Sequence, residues 1–195
     1  MAEAESIAPL LNTLRDLMNW FQTEQVKGMV IGGVAASLLG RPRFTRDVDA
    51  LVLLEESRWA EFLTQGAQYN FIPRISDALK FAQTSRHFLL RHKPGGIDLD
   101  IAFAALPFEE NSIANAITFD IGNLMLRLPN PEDLIIMKAV ASRPKDLIDI
   151  ESLIDANSTL EYSRIRLVVQ EFADALDMPD LIENLEKILV KKCKK

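Results

Sequence analysis

The sequence is poor in the residues that form disulfides and zinc sites. One cysteine, Cys193, and two histidines, His87 and His92, occur among its 195 residues. A single cysteine cannot form an internal disulfide, and zinc sites are built largely from several Cys and His ligands. We therefore expect a protein of a reducing compartment that holds no zinc.

Long apolar runs and a signal sequence are also missing. No stretch approaches the roughly 20 apolar residues that a membrane-spanning helix needs. The first residues, MAEAES, lack the basic and apolar segments of a signal peptide. We therefore expect a cytoplasmic protein with no membrane partner. Its net charge of −6 also gives it no overall attraction for nucleic acid.

Two aspartates separated by one residue stand out in the first half of the chain. Asp47 and Asp49 open a predicted strand over residues 47–54, so their side chains point to the same face. Holding two like charges together costs free energy unless a cation lies between them, and Mg²⁺ prefers such oxygen ligands. The alternative is a solvated strand end whose aspartates pair with Arg43 or Arg46.

A glycine pair precedes these acids. Gly32 and Gly33 follow a predicted strand over residues 27–31 and precede a predicted helix over residues 34–39. Glycine lets the backbone approach a phosphate, and the free N–H groups at a helix N-terminus favour an anion. A phosphate cradle next to a pair of metal ligands predicts binding of a nucleoside triphosphate with its magnesium.

A second strand repeats the alternating acids. Residues 97–104, read as IDLDIAFA, follow a turn and carry Asp98 and Asp100 on one face. If this strand lies beside the strand that opens at Asp47, the acidic faces of both converge on one site. Asp98 and Asp100 are both candidates for a third acid at this site, and for Asp100 the alternative is a pair with a nearby arginine.

The organisation of the chain changes near residue 128. Before it, strands alternate with helices, which predicts a mixed sheet flanked by helices. After it, Asn130 as cap and Pro131 at the first position begin a series of helices. We therefore predict an α/β (α+β) fold with a catalytic core over residues 1–128 and a helical region over residues 129–195.

These motifs resemble those of a known superfamily. The glycine pair, the run Arg43-x-Thr45-x-Asp47-x-Asp49 and a later strand acid resemble the nucleotidyltransferases that share their fold with DNA polymerase beta. The later segment resembles the helical region of AbiEii-type nucleotidyltransferases, the toxin halves of bacterial toxin–antitoxin and phage-defence pairs. The residues that carry this second resemblance are Lys138, Arg143, Lys145, Asp146 and Asp149.

The resemblance implies a role for each matching residue. Asp47 and Asp49 would hold two Mg²⁺ ions, with Mn²⁺ as a substitute, and Asp98 would join the catalytic metal and help to deprotonate the attacking hydroxyl. Gly32 and Gly33 would line the triphosphate. Four further residues are implied as contacts of the nucleotide: Arg43, Thr45, Lys138 and Lys145.

One position departs from the pattern of the superfamily. Many members have a serine directly after the first glycine, and Gly33 stands there in this chain. One phosphate contact would then come from the backbone or from Ser37.

Several of these residues also have structural interpretations. Lys138 lies near an apolar helical stripe, where a lysine either extends its amine to water or reaches a phosphate. Lys145 can pair with Asp149 at i,i+4, which favours an ion-pair network with Asp146, although Lys145 could also approach the triphosphate. Trp20 and the other large aromatics fall at helical spacing and are predicted to belong to the core.

The resulting functional hypothesis is a magnesium-dependent nucleotidyltransferase. It would move a nucleotidyl group from a nucleoside triphosphate to a hydroxyl of RNA or protein, with a cognate toxin or antitoxin as a possible partner. The alternative is a weakly active or inactive binding module with the same fold, acting as the partner half of a toxin–antitoxin pair. A metal-dependent phosphohydrolase ranks last, because the chain lacks the additional histidine ligands of such sites.

Overall fold

The structure is a computed structural model that describes residues 2–193, with side chains for residues 7–191. It contains two compact units. The first unit comprises Met1–Val34 and Thr45–Leu128, and the second comprises Ala35–Phe44 and Pro129–Lys195. Residues 35–44 therefore cluster with the helical region, a feature that the expected boundaries did not include. The division into domains 1–128 and 129–195 stays a prediction.

Helices and strands alternate in the first unit, as expected. Its strands are β1 (Lys27–Ile31), β2 (Asp47–Leu53), β3 (Phe71–Pro73), β4 (His87–His92), β5 (Ile97–Phe103), β6 (Ile117–Asp120) and β7 (Met125–Leu128). Its helices are α1 (Ala2–Thr23), α3 (Trp59–Gly66), α4 (Ala78–Ser85) and α5 (Pro107–Ala114), and α2 (Gly32–Leu39) begins in the first unit and ends in the second.

Five strands form a mixed sheet in the order β1-β2-β5-β4-β3. β2 and β5 are parallel neighbours, and the other neighbouring pairs are antiparallel. β6 and β7 form a separate antiparallel pair. The predicted side-by-side arrangement of the two acid-bearing strands is therefore confirmed.

An aromatic cluster fills the core of the first unit. Trp20 of α1 is fully buried and stacks on Phe62 of α3 with 4.1 Å between ring centroids. Trp59 stacks on Phe103 of β5 at the same separation. Gly66 lets α3 approach this cluster, because a Cβ at that position would lie 2.8 Å from the Trp20 ring. Trp20, Trp59 and Phe62 are core residues, as predicted, whereas Phe44 and Phe81 are exposed.

The second unit is built from helices α6 (Pro131–Ala141), α7 (Pro144–Ala156), α8 (Tyr162–Leu176) and α9 (Asp180–Cys193). The side chain of Asn130 accepts a hydrogen bond from the backbone N–H of Asp133, so the predicted N-cap of α6 is confirmed. Leu134, Ile150 and Leu185 are fully buried and form part of the helical core.

Short 3₁₀ turns flank helix α3: one precedes it, and another follows it before the left-handed Asn70. A local difference from the expected elements lies at the glycine turn. Helix α2 begins at Gly32 itself, because Gly32 adopts a positive φ of 64° where the strand turns into the helix.

No helix within the described residues is long and apolar enough to cross a membrane.

Candidate active site

The glycine turn and the first acid pair are in direct contact. Ile31, the last residue of β1, pairs in register with Asp49 of β2. The next residue is Gly32, where a Cβ would lie 1.9 Å from Oδ2 of Asp49. Only glycine therefore fits between the start of helix α2 and this carboxylate. The turn brings the free N–H groups at the start of α2 next to an acidic side chain.

Four carboxylates share one face of neighbouring strands. In the parallel pair of β2 and β5, Asp47 lies beside Asp98 and Asp49 beside Asp100. The residues between them, Val48 and Leu99 among them, are fully buried on the opposite face. The strict alternation of side chains therefore keeps the apolar residues in the core and gathers the acids on the outer face.

Asp98 has two arginine partners. Arg91 stands directly opposite it on β4 and donates from Nε to Oδ1 at 2.6 Å and from Nη2 to Oδ2 at 3.1 Å. Arg74, immediately after β3, donates from Nη1 to Oδ2 at 3.0 Å. The hydrogen bond from Arg91, followed by the nearby positive charges, holds the pKa of Asp98 below its usual value despite partial desolvation.

Asp100 lies in a different electrostatic environment. Its neighbour on β4 is Leu89 rather than an arginine, and its carboxylate accepts a hydrogen bond from Nη2 of Arg74. Desolvation raises the pKa of the Asp100 carboxyl, Arg74 opposes this effect, and the charges of Asp49, Asp47 and Asp98 add to it. The Asp100 carboxyl is therefore close enough to the other three acids of this face to be affected by their charges.

The donor chemistry of this face fits a hard cation. Across the described part of the chain, no three His, Cys, Asp or Glu side chains stand together in an arrangement that could hold a metal ion. The four aspartates of β2 and β5 nevertheless present carboxylate oxygens on one face. A divalent cation would relieve the repulsion between these carboxylates. Arg74 is the cation that contacts Asp100 in this structure.

Thr45 contacts the acid pair rather than standing apart from it. Its hydroxyl lies 3.1 Å from both the backbone oxygen and Oδ1 of Asp47. A threonine hydroxyl has one proton, so it donates to one of these oxygens at a time. Thr45 therefore orients the first residue of β2.

Lys138 is the centre of a buried ion-pair network in the second unit. It is 4% exposed, and its Nζ lies 2.9 Å from Oδ1 of Asp146 and 2.9 Å from Oδ2 of Asp149. Arg143 donates to Asp146 at 2.6 Å, and Arg43 binds Asp149 through two parallel hydrogen bonds of 2.8 and 2.9 Å. Lys138 thus neither extends to water nor stands free.

Hydrogen bonds keep both aspartates of this network ionised. Burial acts to raise the pKa of Asp146, but hydrogen bonds from Arg143 and Lys138 outweigh it and lower the pKa. The same balance lowers the pKa of Asp149, where the donors are Arg43 and Lys138.

The network differs from the ion pairs expected in the helical region. The sequence suggested a pair between Lys145 and Asp149, but Asp149 binds Arg43 and Lys138 instead. Lys145 lies in the first turn of α7 and is exposed. The buried carboxylate takes partners from α6 and from the loop after α2, because these can reach it without leaving a charge unpaired in the core.

The basic loop after α2 is attached to α7 at further points. Arg41 donates from its backbone to Oγ of Ser152 at 2.6 Å and pairs with Asp155 at 2.7 Å. Ser37, the alternative phosphate contact, donates its hydroxyl to the backbone oxygen of Arg43 at 2.6 Å. These contacts show that much of the loop is held by helix α7 of its own unit.

The mixed sheet, the glycine that opens a helix and the acid pair on the next strand together define a nucleotidyltransferase fold. The family model described as "Nucleotidyltransferase of unknown function (DUF6036)" matches residues 9–165. This is most of the chain, so the chain belongs to that family of nucleotidyltransferases. A comparison with curated proteins finds no match.

Solved structures show the same fold. The solution structure of the antibiotic-resistance factor ANT(2'')-Ia has a TM-score of 0.58 at 15% identity, covering 91% of this chain and 95% of that chain. ANT(2'')-Ia in complex with adenylyl-2''-tobramycin has a TM-score of 0.55 at 18% identity, covering 86% and 97%. An antigenic nucleotidyltransferase-like protein from Paracoccidioides brasiliensis has a TM-score of 0.54 at 17% identity, covering 90% and 92%.

These comparisons decide part of the sequence-based hypothesis. The predicted fold class and membership of the nucleotidyltransferase superfamily are confirmed, and the chain is an enzyme of that class by its family. The closer resemblance to AbiEii-type toxins stays a prediction.

The buried network predicts a large effect of removing its central charge. Substitution of Lys138 by methionine keeps the aliphatic stem but leaves two buried aspartates with one donor fewer each. We expect the free energy of unfolding to fall by about 3–5 kcal/mol. The matched control is Lys145→Met on the exposed start of α7, for which we expect a change within about 0.5 kcal/mol. Urea denaturation followed by circular dichroism measures both, and similar values for the two variants would refute the structural role of Lys138.

The lowered pKa values of Asp146 and Asp149 predict a dependence of stability on pH. A carboxyl whose pKa is lower in the folded state stabilises the fold above its unfolded value of about 3.9, and this contribution is lost as the pH falls through the lowered folded value. Lys138→Met raises both folded pKa values toward the unfolded one. The stability difference between wild type and variant should therefore shrink between about pH 5 and pH 3. Denaturation curves across this range measure it, and a difference that stays constant would contradict the assignment.

Proposed function

We propose that the protein transfers a nucleotidyl group from a nucleoside triphosphate to a hydroxyl acceptor and that it uses Mg²⁺, with Mn²⁺ as a substitute. The observation that carries the proposal is the strand register, in which Asp47, Asp49 and Asp100 share one face beside Gly32. Carboxylates at this spacing are suited to divalent cations, and the start of α2 is suited to phosphate.

The proposal assigns the third acidic role to Asp100 rather than to Asp98. Both oxygens of Asp98 accept hydrogen bonds from arginines, and its cross-strand neighbour is Arg91. Asp100 instead lies beside Asp49 in the register and accepts a hydrogen bond from Arg74. In this assignment Asp47, Asp49 and Asp100 would hold the cations, and Asp98 is a positioning residue for the two arginines.

The reaction follows from these roles. When bound, the metal ions would stabilise charge on the attacking and leaving oxygens of an in-line displacement at phosphorus. The acceptor oxygen forms a bond with the α-phosphorus, the bond from that phosphorus to the bridging oxygen breaks, and pyrophosphate leaves. Asp100, as the third acid of this assignment, would accept the hydroxyl proton.

The triphosphate contacts are assigned to the backbone more than to basic side chains. Gly32 and Gly33 open helix α2, where free N–H groups favour phosphate oxygens. Thr45 orients Asp47 through its hydroxyl. Arg43 and Lys138, expected as nucleotide contacts, have a structural role in this proposal because both bind Asp149. The exposed Lys145 remains available as a contact.

The acceptor class rests on resemblance. The AbiEii-type pattern of the helical region supports RNA or protein as the acceptor and a cognate toxin or antitoxin as the partner. One solved neighbour is described with adenylyl-2''-tobramycin, which makes an aminoglycoside hydroxyl a further acceptor to test.

A labelling assay tests the proposed activity. The protein is incubated with each nucleoside triphosphate radiolabelled at the α-phosphate, with Mg²⁺ or Mn²⁺, and with total RNA, total protein or tobramycin. We expect one acceptor to become labelled. Loss of a metal ligand forfeits several kcal/mol of transition-state stabilisation, so Asp49→Asn and Asp100→Asn should each lower the labelling rate roughly a thousandfold.

Asp98→Asn is the matched control, because it changes a carboxylate of the same strand and face. We expect it to lower the rate by less than about tenfold, the size of a positioning effect. If Asp98→Asn abolishes labelling and Asp100→Asn does not, the assignment of the third acid is reversed. If no acceptor is labelled under any condition, the proposed activity fails and the binding-module alternative gains support.

A further inference from the structure

Arg74 contacts two aspartates whose other partners differ. Its Nη1 donates to Asp98 and its Nη2 donates to Asp100, so one guanidinium spans both carboxylates. The side chain is 26% exposed. Its backbone N–H donates to the carbonyl oxygen of Leu89 at 2.9 Å, which attaches this residue to strand β4. Both the backbone and the guanidinium of Arg74 are therefore held in place.

Asp98 does not need Arg74 for charge compensation. Arg91 already binds both of its oxygens from the opposite position on β4, and the Arg91 side chain is 52% exposed. Asp100 has no arginine opposite it, since its neighbour on β4 is Leu89. The position of Arg74, fixed partly by Asp98, thus supplies the positive charge next to Asp100.

We propose that Arg74 is an internal counter-cation of Asp100, which a divalent cation must displace before it can bind there. Because Asp98 helps to hold Arg74 in this position, the Arg74–Asp98 pair lowers the affinity of the site for free metal. This inference rests on the proposed function, because it assumes that Asp100 is a metal ligand. A guanidinium and a divalent cation repel each other when both lie near one carboxylate.

The consequence is a site that binds metal poorly until nucleotide arrives. Without nucleotide, the guanidinium of Arg74 contacts Asp100, which lies beside Asp49 on the acidic face, and so offsets part of the negative charge there. A triphosphate brings several negative charges, which offer the displaced guanidinium a new partner of the kind that arginine binds well. Arg74 therefore favours entry of the metal together with the triphosphate over entry of the metal alone.

Binding of Mn²⁺ in the absence of nucleotide tests the inference. The free ion is quantified by electron paramagnetic resonance in titrations of the wild type, Arg74→Gln and Arg91→Gln. Removing the positive charge beside Asp100 should tighten Mn²⁺ binding about tenfold in Arg74→Gln. Arg91→Gln is the matched control, since Arg91 binds Asp98 alone and is more exposed, and we expect a change of less than about threefold.

Two further variants separate charge from structure. Arg74→Lys keeps the charge, and its Mn²⁺ affinity should stay within about threefold of the wild type, which a role in packing alone would not require. Arg74→Met keeps the aliphatic stem without the charge, so we expect the same tenfold tightening of Mn²⁺ binding. This variant replaces Arg74→Gln if the glutamine variant does not fold.

An unchanged or weaker Mn²⁺ affinity in the uncharged variants overturns the inference, as does equal tightening in Arg91→Gln. These outcomes are distinct from failure of the proposed function. A wild type that labels an acceptor while Arg74→Gln binds Mn²⁺ no more tightly refutes the counter-cation role only, and absence of labelling refutes the proposed activity.

Discussion

Four like charges on two parallel strands are the constraint on which the site depends. Alternation along β2 and β5 puts Asp47, Asp49, Asp98 and Asp100 on the same face, and the parallel register sets them side by side. Like charges at such spacing raise the free energy of the folded state unless positive charge compensates them. The chain compensates one member of this group with Arg91 and shares Arg74 between two. The proposed function adds a cation from solution to this face, which would connect the register to phosphoryl chemistry.

A second set of buried charges organises the helical unit in a different way. Lys138 is paired with two aspartates of α7, and each of these also binds an arginine. All members therefore have partners, which is the condition under which buried ions are tolerated. Because Arg43 binds Asp149, the network also holds the loop that precedes β2 in sequence. The basic residues that resemble nucleotide contacts are thus largely used for folding, and the proposed phosphate contacts come mainly from the start of α2.

Much of the fold could be predicted because its signals are local. Strand β1 has the bounds predicted for residues 27–31, and the two acid strands are neighbours as expected. The cross-strand pairing of Arg91 with Asp98 could also be predicted, because the turn over residues 93–96 makes a hairpin that pairs His92 with Ile97. The pairing of Arg43 with Asp149 was not, because these residues are 106 positions apart and no local pattern connects them. The contact of Arg74 with Asp100 likewise depends on tertiary placement after β3.

The most direct test of the account is a crystal structure with Mn²⁺ and a non-hydrolysable nucleoside triphosphate, in which anomalous scattering locates the ions. We expect ions coordinated by Asp47, Asp49 and Asp100, with Asp98 still bound to Arg91 and the triphosphate at the start of α2. Ions bound by Asp98 in place of Asp100, or bound away from this face of the sheet, would contradict it.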